Sequence, residues 1–296
     1  MRRGSHVCVA EILFRTYRDY VDNRIEVNNA MMALLAGSRL AAHTLSLTVG
    51  STTTLAQLFP AVEHIERFNL RSDSARQLLA DADQHMASVA IPYALATHEE
   101  FVMDMLKLLS AEGRTLITHG KQVKAWHMHS VLFETCRYAE PVEWMQTFHV
   151  LREVRNSIIH AGGAVDTRLT DAIDAMGPAA RSGWSKLNLS TQPESLIGDN
   201  GRLALTAGNV FTAFALTKRI GREINAALGQ ELDESTWARV AVADFHDSTS
   251  KTRNSSGWRR SAVGFVRQYY GLAGIAEGDV EKAARDLGLW TIPDWS

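Results

Sequence analysis

Apolar residues recur three and four positions apart along nearly the whole chain, and only six prolines interrupt its 296 residues. This spacing places apolar side chains on one face of a helix. No stretch alternates between apolar and polar residues strongly enough to predict a β-strand. The sequence therefore predicts an all-α fold.

The longest predicted helix runs from Val7 to about Leu35. Residues 39–58 are richer in Thr and Ser and form either a second helix or a looser connection, because β-branched residues weaken the helical preference. From Ala75 to Ser110 the pattern is continuous except at Pro92, which is expected to kink or divide the helix. Residues 178–203 read as a long loop. Further helices are predicted at Gly120–Tyr138, Pro141–Ile158, Ala204–Leu228, Glu234–Phe245, Trp258–Tyr270 and Asp279–Leu287.

The charge and the amino-terminal sequence restrict the location and partners of the chain. A formal net charge of -2 gives no general attraction to nucleic acid or to an anionic membrane, so any RNA contact requires a local basic patch. Glu11 and Arg15 break the first apolar stretch, which argues against a secretory signal. No run approaches the ~20 apolar residues of a membrane span. Cys8 and Cys136 are far apart and are expected to be reduced thiols. A cytoplasmic protein without a membrane segment is predicted.

The segment from Glu153 to Gly163 carries the polar groups most suited to chemistry. Asn156 and His160 are four residues apart and share a helix face, whereas Arg155 lies about 140° around the axis from His160. Either the long arginine reaches round, or a second copy of the helix completes the site at a two-fold interface. Histidine can move protons at neutral pH, and a guanidinium can hold a phosphate. The pattern indicates RNA cleavage in which a ribose 2′-OH attacks the adjacent phosphate. Asn156 is expected to orient the phosphate or the imidazole. The reaction requires no metal or other cofactor.

The Arg-x4-His spacing, with Asn directly after Arg and a glycine turn after His, resembles the signature of the HEPN superfamily. The resemblance covers about residues 75 to 230 and implies a HEPN-like helical bundle at 71–230, with helical extensions at 1–70 and 231–296. It also implies a homodimeric, metal-independent endoribonuclease of phage defence, abortive infection or a toxin system, with Arg155, His160 and Asn156 as catalytic residues. A toxin branch of the superfamily has tyrosine where this chain has Gly162, so pairing with that branch's modifying enzyme is not expected.

Other interpretations of the same residues stay open. Arg114 and His119 have the same spacing without the adjacent Asn or the glycine turn, so the spacing alone is a weak signal. Arg155 can instead pair with a nearby acid such as Glu153, while His160 stabilises the helix end. The chain can then be a non-catalytic HEPN-fold adaptor that binds protein or RNA, or an effector that a regulatory protein or a phage component activates.

Two further groups are candidate substrate contacts. His149 precedes His160 by eleven residues, with Arg152 between them, and these side chains line the same cleft or form a simple polar stripe. Arg259 and Arg260 lie in a basic segment interleaved with aromatic residues, which suits RNA, although a solvated helix with aromatic residues in the core is slightly favoured. His127 and His129 face opposite sides of a helix, so no zinc site is expected there, and both are expected to be exposed or partly buried.

Overall fold

The computed structural model describes residues 11–68 and 70–295. Helices make up 69% of the chain, and within these residues there is no β-strand. β-type backbone pairing is limited there to isolated bridges such as that of Ala164 with Arg202. The predicted all-α class is therefore confirmed.

Twelve α-helices and three 3₁₀ turns occupy the described residues. The turns are Ile65–Phe68, Pro193–Leu196 and Gly271–Ala273. The helices are α1 (Arg15–Ser46), α2 (Leu55–Leu58), α3 (Ser72–Ala80), α4 (Ala82–Ala111), α5 (Met128–Thr135), α6 (Val142–Ala161), α7 (Thr167–Asp174), α8 (Pro178–Leu187), α9 (Ala207–Glu231), α10 (Glu234–Ser248), α11 (Ser256–Tyr269) and α12 (Glu277–Asp286). None of these helices has both the length and the apolar character needed to cross a membrane.

The chain divides into two compact units, and each unit is assembled from separate chain segments. The first unit contains the described part of Met1–Asp22, together with His98–Pro141 and the described part of Arg219–Ser296. The second contains Asn23–Thr97 and Val142–Lys218. The sequence predicted three consecutive domains, with boundaries at residues 70 and 230. That division stays a prediction.

A buried ion pair sits within the aromatic core of the first unit. Arg18 donates to both carboxylate oxygens of Asp244 at 3.0 Å, and the Tyr270 hydroxyl donates to Asp244 Oδ2 at 2.6 Å. Tyr270 is fully buried and its ring lies 6.2 Å from that of Trp237. Three donors therefore satisfy one buried carboxylate, which compensates for its removal from water.

A second polar cluster of the first unit joins α1, α4 and α5. His98 Nε2 lies 3.0 Å from His129 Nε2, and His98 Nδ1 lies 2.9 Å from the Tyr20 hydroxyl. Tyr20 also stacks on Phe101 with ring centroids 4.2 Å apart. Both histidines are fully buried, so the expectation that His129 is exposed or only partly buried is wrong. Its burial follows from a ring partner that is distant in sequence.

In the second unit α6 packs against α7 and α8. Its Trp144 covers Gly183 of α8 so closely that a Cβ atom at Gly183 would lie 2.9 Å from the indole. At the start of α4, Gln84 donates to the Leu203 carbonyl and accepts from the Leu205 amide. These contacts hold α4 and the segment before α9 in place around the end of α6.

Several predicted boundaries differ from those of the structure. The long first helix begins at Arg15 and continues to Ser46, so the Thr- and Ser-rich segment is partly helical. The proposed start at Val7 lies outside the described residues. Pro92 lies inside α4, and the division of this region falls instead at Asp81, between α3 and α4. Proline lacks an amide hydrogen, but burial of the surrounding helix faces maintains α4.

The regions with the most polar and glycine residues were predicted least well. The helix predicted at Gly120–Tyr138 is reduced to α5, which begins at Met128. The loop predicted at 178–203 contains α8, with Pro178 in its first turn and Trp184 fully buried. Proline is well suited to the first turn of a helix, so this residue signals a helix start as well as a loop. The helices predicted from Ala204 onward are confirmed with small shifts of their ends.

Candidate functional site

The helix that carries the predicted motif, α6, has clear start and stop signals. Pro141 directly precedes it, and Glu143 lies in its first turn. Gly162 and Gly163 follow its last residue with positive φ values of 56° and 85°. The Gly163 amide donates back to the Ser157 carbonyl at 2.8 Å, which closes the helix end in the manner of a Schellman motif. The predicted glycine stop is confirmed.

A buried carboxylate, Glu153, organises the polar residues in the middle of α6. It accepts from Arg152 Nη2 at 2.8 Å and from Arg152 Nε at 3.2 Å through one oxygen. Its other oxygen accepts from Asn156 Nδ2 at 3.1 Å. Arg152 was predicted to contact substrate and Asn156 to be catalytic, and both instead bind Glu153. The sequence analysis considered this acid only as a partner of Arg155.

Arg155 and His160 occupy different surroundings on the same helix. Arg155 is half-buried, whereas His160 is exposed in the last turn. A histidine at this position is favourably placed beside the partial negative charge of the helix end.

His149 lies one turn before Glu153 and is largely enclosed. Its Nδ1 has no hydrogen-bond partner among the described residues. Burial lowers the pKa of the imidazole, and the positive charge of Arg152 lowers it further. A neutral ring at this position fits a packing role better than a phosphate contact.

Arg259 and Arg260 belong to α11 in the first unit. The Arg259 guanidinium donates to the Trp295 carbonyl, while Arg260 is exposed. Trp258 and Tyr270 are fully buried. The aromatic residues of this segment therefore serve the core, as the favoured interpretation of the sequence had it.

The sequence reasoning missed a cavity of about 360 Å³ at the end of α6. It lies beside the glycine turn and between α4 and the segment before α9. Gly162 and Gly163 are the sequence signal for it, but the sequence predicted from them a helix stop and part of a motif, not a cavity. Elsewhere in residues 11–68 and 70–295, no three His, Cys, Asp or Glu side chains gather in a way that could hold a metal ion.

Comparison with known proteins finds a partial likeness of a different kind from the predicted one. Over 104 residues, 33% of this chain, it is 32% identical to the cytochrome c-type biogenesis protein CcmF of Escherichia coli (strain K12). Over 149 residues, 48% of this chain, it is 25% identical to the protein of the same name from Haemophilus influenzae. The matches span only 16% and 21% of those two proteins. No protein-family model and no solved structure matches the chain.

These comparisons correct the predicted identity and activity. The assignment to the HEPN superfamily is wrong: no family model supports it, and the similarity found is to cytochrome c-type biogenesis proteins. The predicted endoribonuclease, its adaptor alternative and the roles in defence or as a toxin are wrong for the same reason. The predicted cytoplasmic location is corrected on the same ground, since this similarity does not support it. The cause of the error is that Arg-x4-His is a short pattern, which helices with polar residues contain without any shared function.

Other predictions stay untested. Nothing tests the roles given to Arg155, His160 and Asn156, or to the substrate contacts, and they no longer belong to a supported activity. The predicted partners, namely RNA, a second copy of the chain and a regulatory protein or phage-derived trigger, are likewise predictions.

Proposed function

We propose that this chain acts in the biogenesis of c-type cytochromes as a helical binding component, which holds a protein partner and carries out no reaction itself. The observation that carries this proposal is the similarity to two cytochrome c-type biogenesis proteins. Because the likeness covers a minor part of those proteins, the proposal concerns the process and not their whole activity.

An exposed apolar face of α1 in the second unit supports a binding role. We call it the α1 surface and define it by Ala30, Ala33, Leu34, Gly37 and Leu40. These residues are spaced three or four positions apart along the helix, so they share one of its faces. Leu34 is 55% exposed and Leu40 is 69% exposed. Exposed apolar residues that are contiguous, rather than scattered, are typical of protein-binding surfaces.

The α1 surface is also nearly free of charge. Between Ala30 and Val49 the only titratable residues are Arg39 and His43. Arg39 is held by Asp83, with 2.8 Å between Nη2 and Oδ2. Beyond the helix, Leu47 and Val49 continue the apolar character and are 83% and 65% exposed. A neutral, apolar strip favours a protein partner over a nucleic acid, which requires positive charge.

The polar residues of α6 support a role without catalysis. Glu153 is engaged by Arg152 and Asn156, and the His149 pKa is lowered by burial and by Arg152. Groups that satisfy one another inside a helix bundle stabilise the fold and are poorly placed to act on a substrate. The proposal therefore assigns the α6 network to stability and the α1 surface to function.

The content of c-type cytochromes in cells tests this proposal. In cells from which the gene for this chain has been deleted, we expect less cytochrome with covalently attached haem. The wild-type gene should restore it, and the double variant Leu34→Gln/Leu40→Gln should not. Leu272→Gln, which changes a 55% exposed leucine in the first unit, is the matched control and should restore it fully. Unchanged cytochrome content after deletion would contradict the proposed function.

A further inference from the structure

The cavity at the end of α6 is bordered by three segments of the second unit. The beginning of α4 provides Gln84, His85 and Ser88, and the end of α6 provides Ile158. The remaining lining residues are Gly162 and Gly163 of the glycine turn and Arg202 and Leu203 of the segment before α9. At about 360 Å³ the cavity falls in the size range of small-molecule sites.

Hydrogen bonds fix the walls of this cavity. The Leu203 amide donates to the Gly163 carbonyl at 2.9 Å, which joins the segment before α9 to the glycine turn. Gln84 Nε2 donates to the Leu203 carbonyl at 3.2 Å, which joins the same segment to α4. One main-chain bond and one bond from the Gln84 side chain therefore tie the walls to one another, so the cavity is preformed.

The lining combines an apolar floor with positive charge and contains no acid. Ile158 and Leu203 supply the apolar part. Arg202 Nη2 donates to the Gly162 carbonyl, which holds the guanidinium at the cavity. Within residues 11–68 and 70–295, the other nitrogens of Arg202 and both ring nitrogens of His85 make no hydrogen bond to protein. Both side chains are exposed, and donors that have no protein acceptor are what an anionic group requires.

We propose that this cavity binds a small organic anion, with its charged group on Arg202 and His85 and its apolar body against Ile158 and Leu203. Arginine presents two parallel N–H groups that match a carboxylate or a phosphate. The positive φ values of Gly162 and Gly163 favour glycine at both positions, so this edge of the cavity carries no side chain. The opposing explanation is that Arg202 only stabilises the end of α6 through the Gly162 carbonyl.

Two fluorescent probes that share an aromatic body separate these explanations. One is 8-anilinonaphthalene-1-sulfonate, an anion, and the other is N-phenyl-1-naphthylamine, which is uncharged. We expect the wild type to bind the anion at one saturable site, and Arg202→Gln to weaken this binding about tenfold, as loss of a charge-assisted hydrogen bond would. Binding of the uncharged probe should change less than about twofold.

Two further variants complete the experiment. Ile158→Trp fills the apolar part of the cavity and should weaken binding of both probes, while Leu272→Gln, at an exposed position of the first unit, should leave the anion affinity unchanged. Thermal unfolding of each variant checks that it is folded. Anion binding that is equal in wild type, Arg202→Gln and Ile158→Trp would overturn the proposal. Equal weakening of both probes by Arg202→Gln would also overturn it, because Arg202 would then act only on the fold.

Discussion

The thiol of Cys136 is enclosed at the end of α5 and is 1% exposed. Burial and, to a smaller extent, the carboxylate of Glu231 together raise its pKa to about 12, although Arg114 partly opposes both. Since only the thiolate reacts with disulfide reagents, we expect a Cys8→Ser variant to be labelled at least about 100-fold more slowly in the native state than when unfolded. Labelling with Ellman's reagent at pH 8 measures this. Rapid native labelling would contradict the packing around Cys136.

The buried imidazole of His149 makes stability depend on pH. The pKa of His149 is lowered in the folded state, so this imidazole takes up a proton at a higher pH in the unfolded chain than in the folded chain. His149 therefore leaves the free energy of unfolding unchanged at high pH. It lowers that free energy as the pH drops through the ordinary histidine pKa, about 6.5. We expect His149→Gln to lose less stability than wild type between pH 7.5 and pH 5.5 in urea unfolding. His43→Gln, at an exposed site, is the control. The same pH dependence in wild type and His149→Gln would show that another group is responsible.

Single residues also show where sequence reasoning ended. Gly162 and Gly163 correctly predicted the end of α6, because a helix stop is a local property of the backbone. The burial of His129 could not be predicted, since it depends on His98, which is 31 residues away. Glu153 was visible as an acid, but its pairing with Arg152 and Asn156 required knowledge of which face of α6 is buried.

The packing of α6 on α8 leads to a prediction about two helical glycines. In Gly183→Ala the new Cβ would lie 2.9 Å from the Trp144 ring, and in Gly264→Ala of α11 it would meet nothing within 4 Å. Overpacking costs about 1–3 kcal/mol, whereas alanine in place of glycine in an exposed helix gains about 0.5–1 kcal/mol. We therefore expect urea unfolding to show lower stability for Gly183→Ala and higher stability for Gly264→Ala. A stabilised Gly183→Ala would contradict the close contact of Trp144 with α8.

Helices with a strong apolar pattern were predictable as elements, and those with a polar pattern were not. Apolar residues that recur every three or four positions predicted α6, α9, α10, α11 and α12, because each of these helices has one buried face. Helix α8 was missed since Ser, Asn and Gly around it favour loops, although Trp184 and Ala180 pack into the core. Pro92 was expected to divide its helix, but the buried residues on both sides of it keep α4 continuous. Tertiary packing outweighed local preference in both cases.

On the scale of the whole molecule, the helical class followed from the sequence and the function did not. A pattern of three polar residues on α6 led to a ribonuclease, because such a pattern carries little information without its surroundings. The α1 surface was part of a helix that periodicity described well, but its exposure could not be read from one sequence. An apolar face packs against the core or binds a partner, and the amino-acid pattern is the same in both cases.

The assembly state separates two uses of the α1 surface. The homodimer predicted from the sequence has the helix that carries Arg155 and His160 at its interface, and it stays a prediction. A second copy of the chain that covers the α1 surface is a different arrangement and the alternative to the proposed function. In the proposed function, a protein of cytochrome c biogenesis covers it. Sedimentation of the purified chain distinguishes the two: we expect a monomer whose sedimentation is unchanged by Leu34→Gln/Leu40→Gln. A dimer that this double variant dissociates would assign the α1 surface to self-association.

The most direct test of the central claim is photo-crosslinking in living cells from the α1 surface. A photoreactive phenylalanine analogue replaces Leu40 in one variant and Leu272, on the other unit, in a control, and crosslinked proteins are identified by mass spectrometry. We predict that position 40 crosslinks to a protein of c-type cytochrome biogenesis and that position 272 does not. Crosslinks from position 40 only to a second copy of the chain, or none that differ from position 272, would contradict the account.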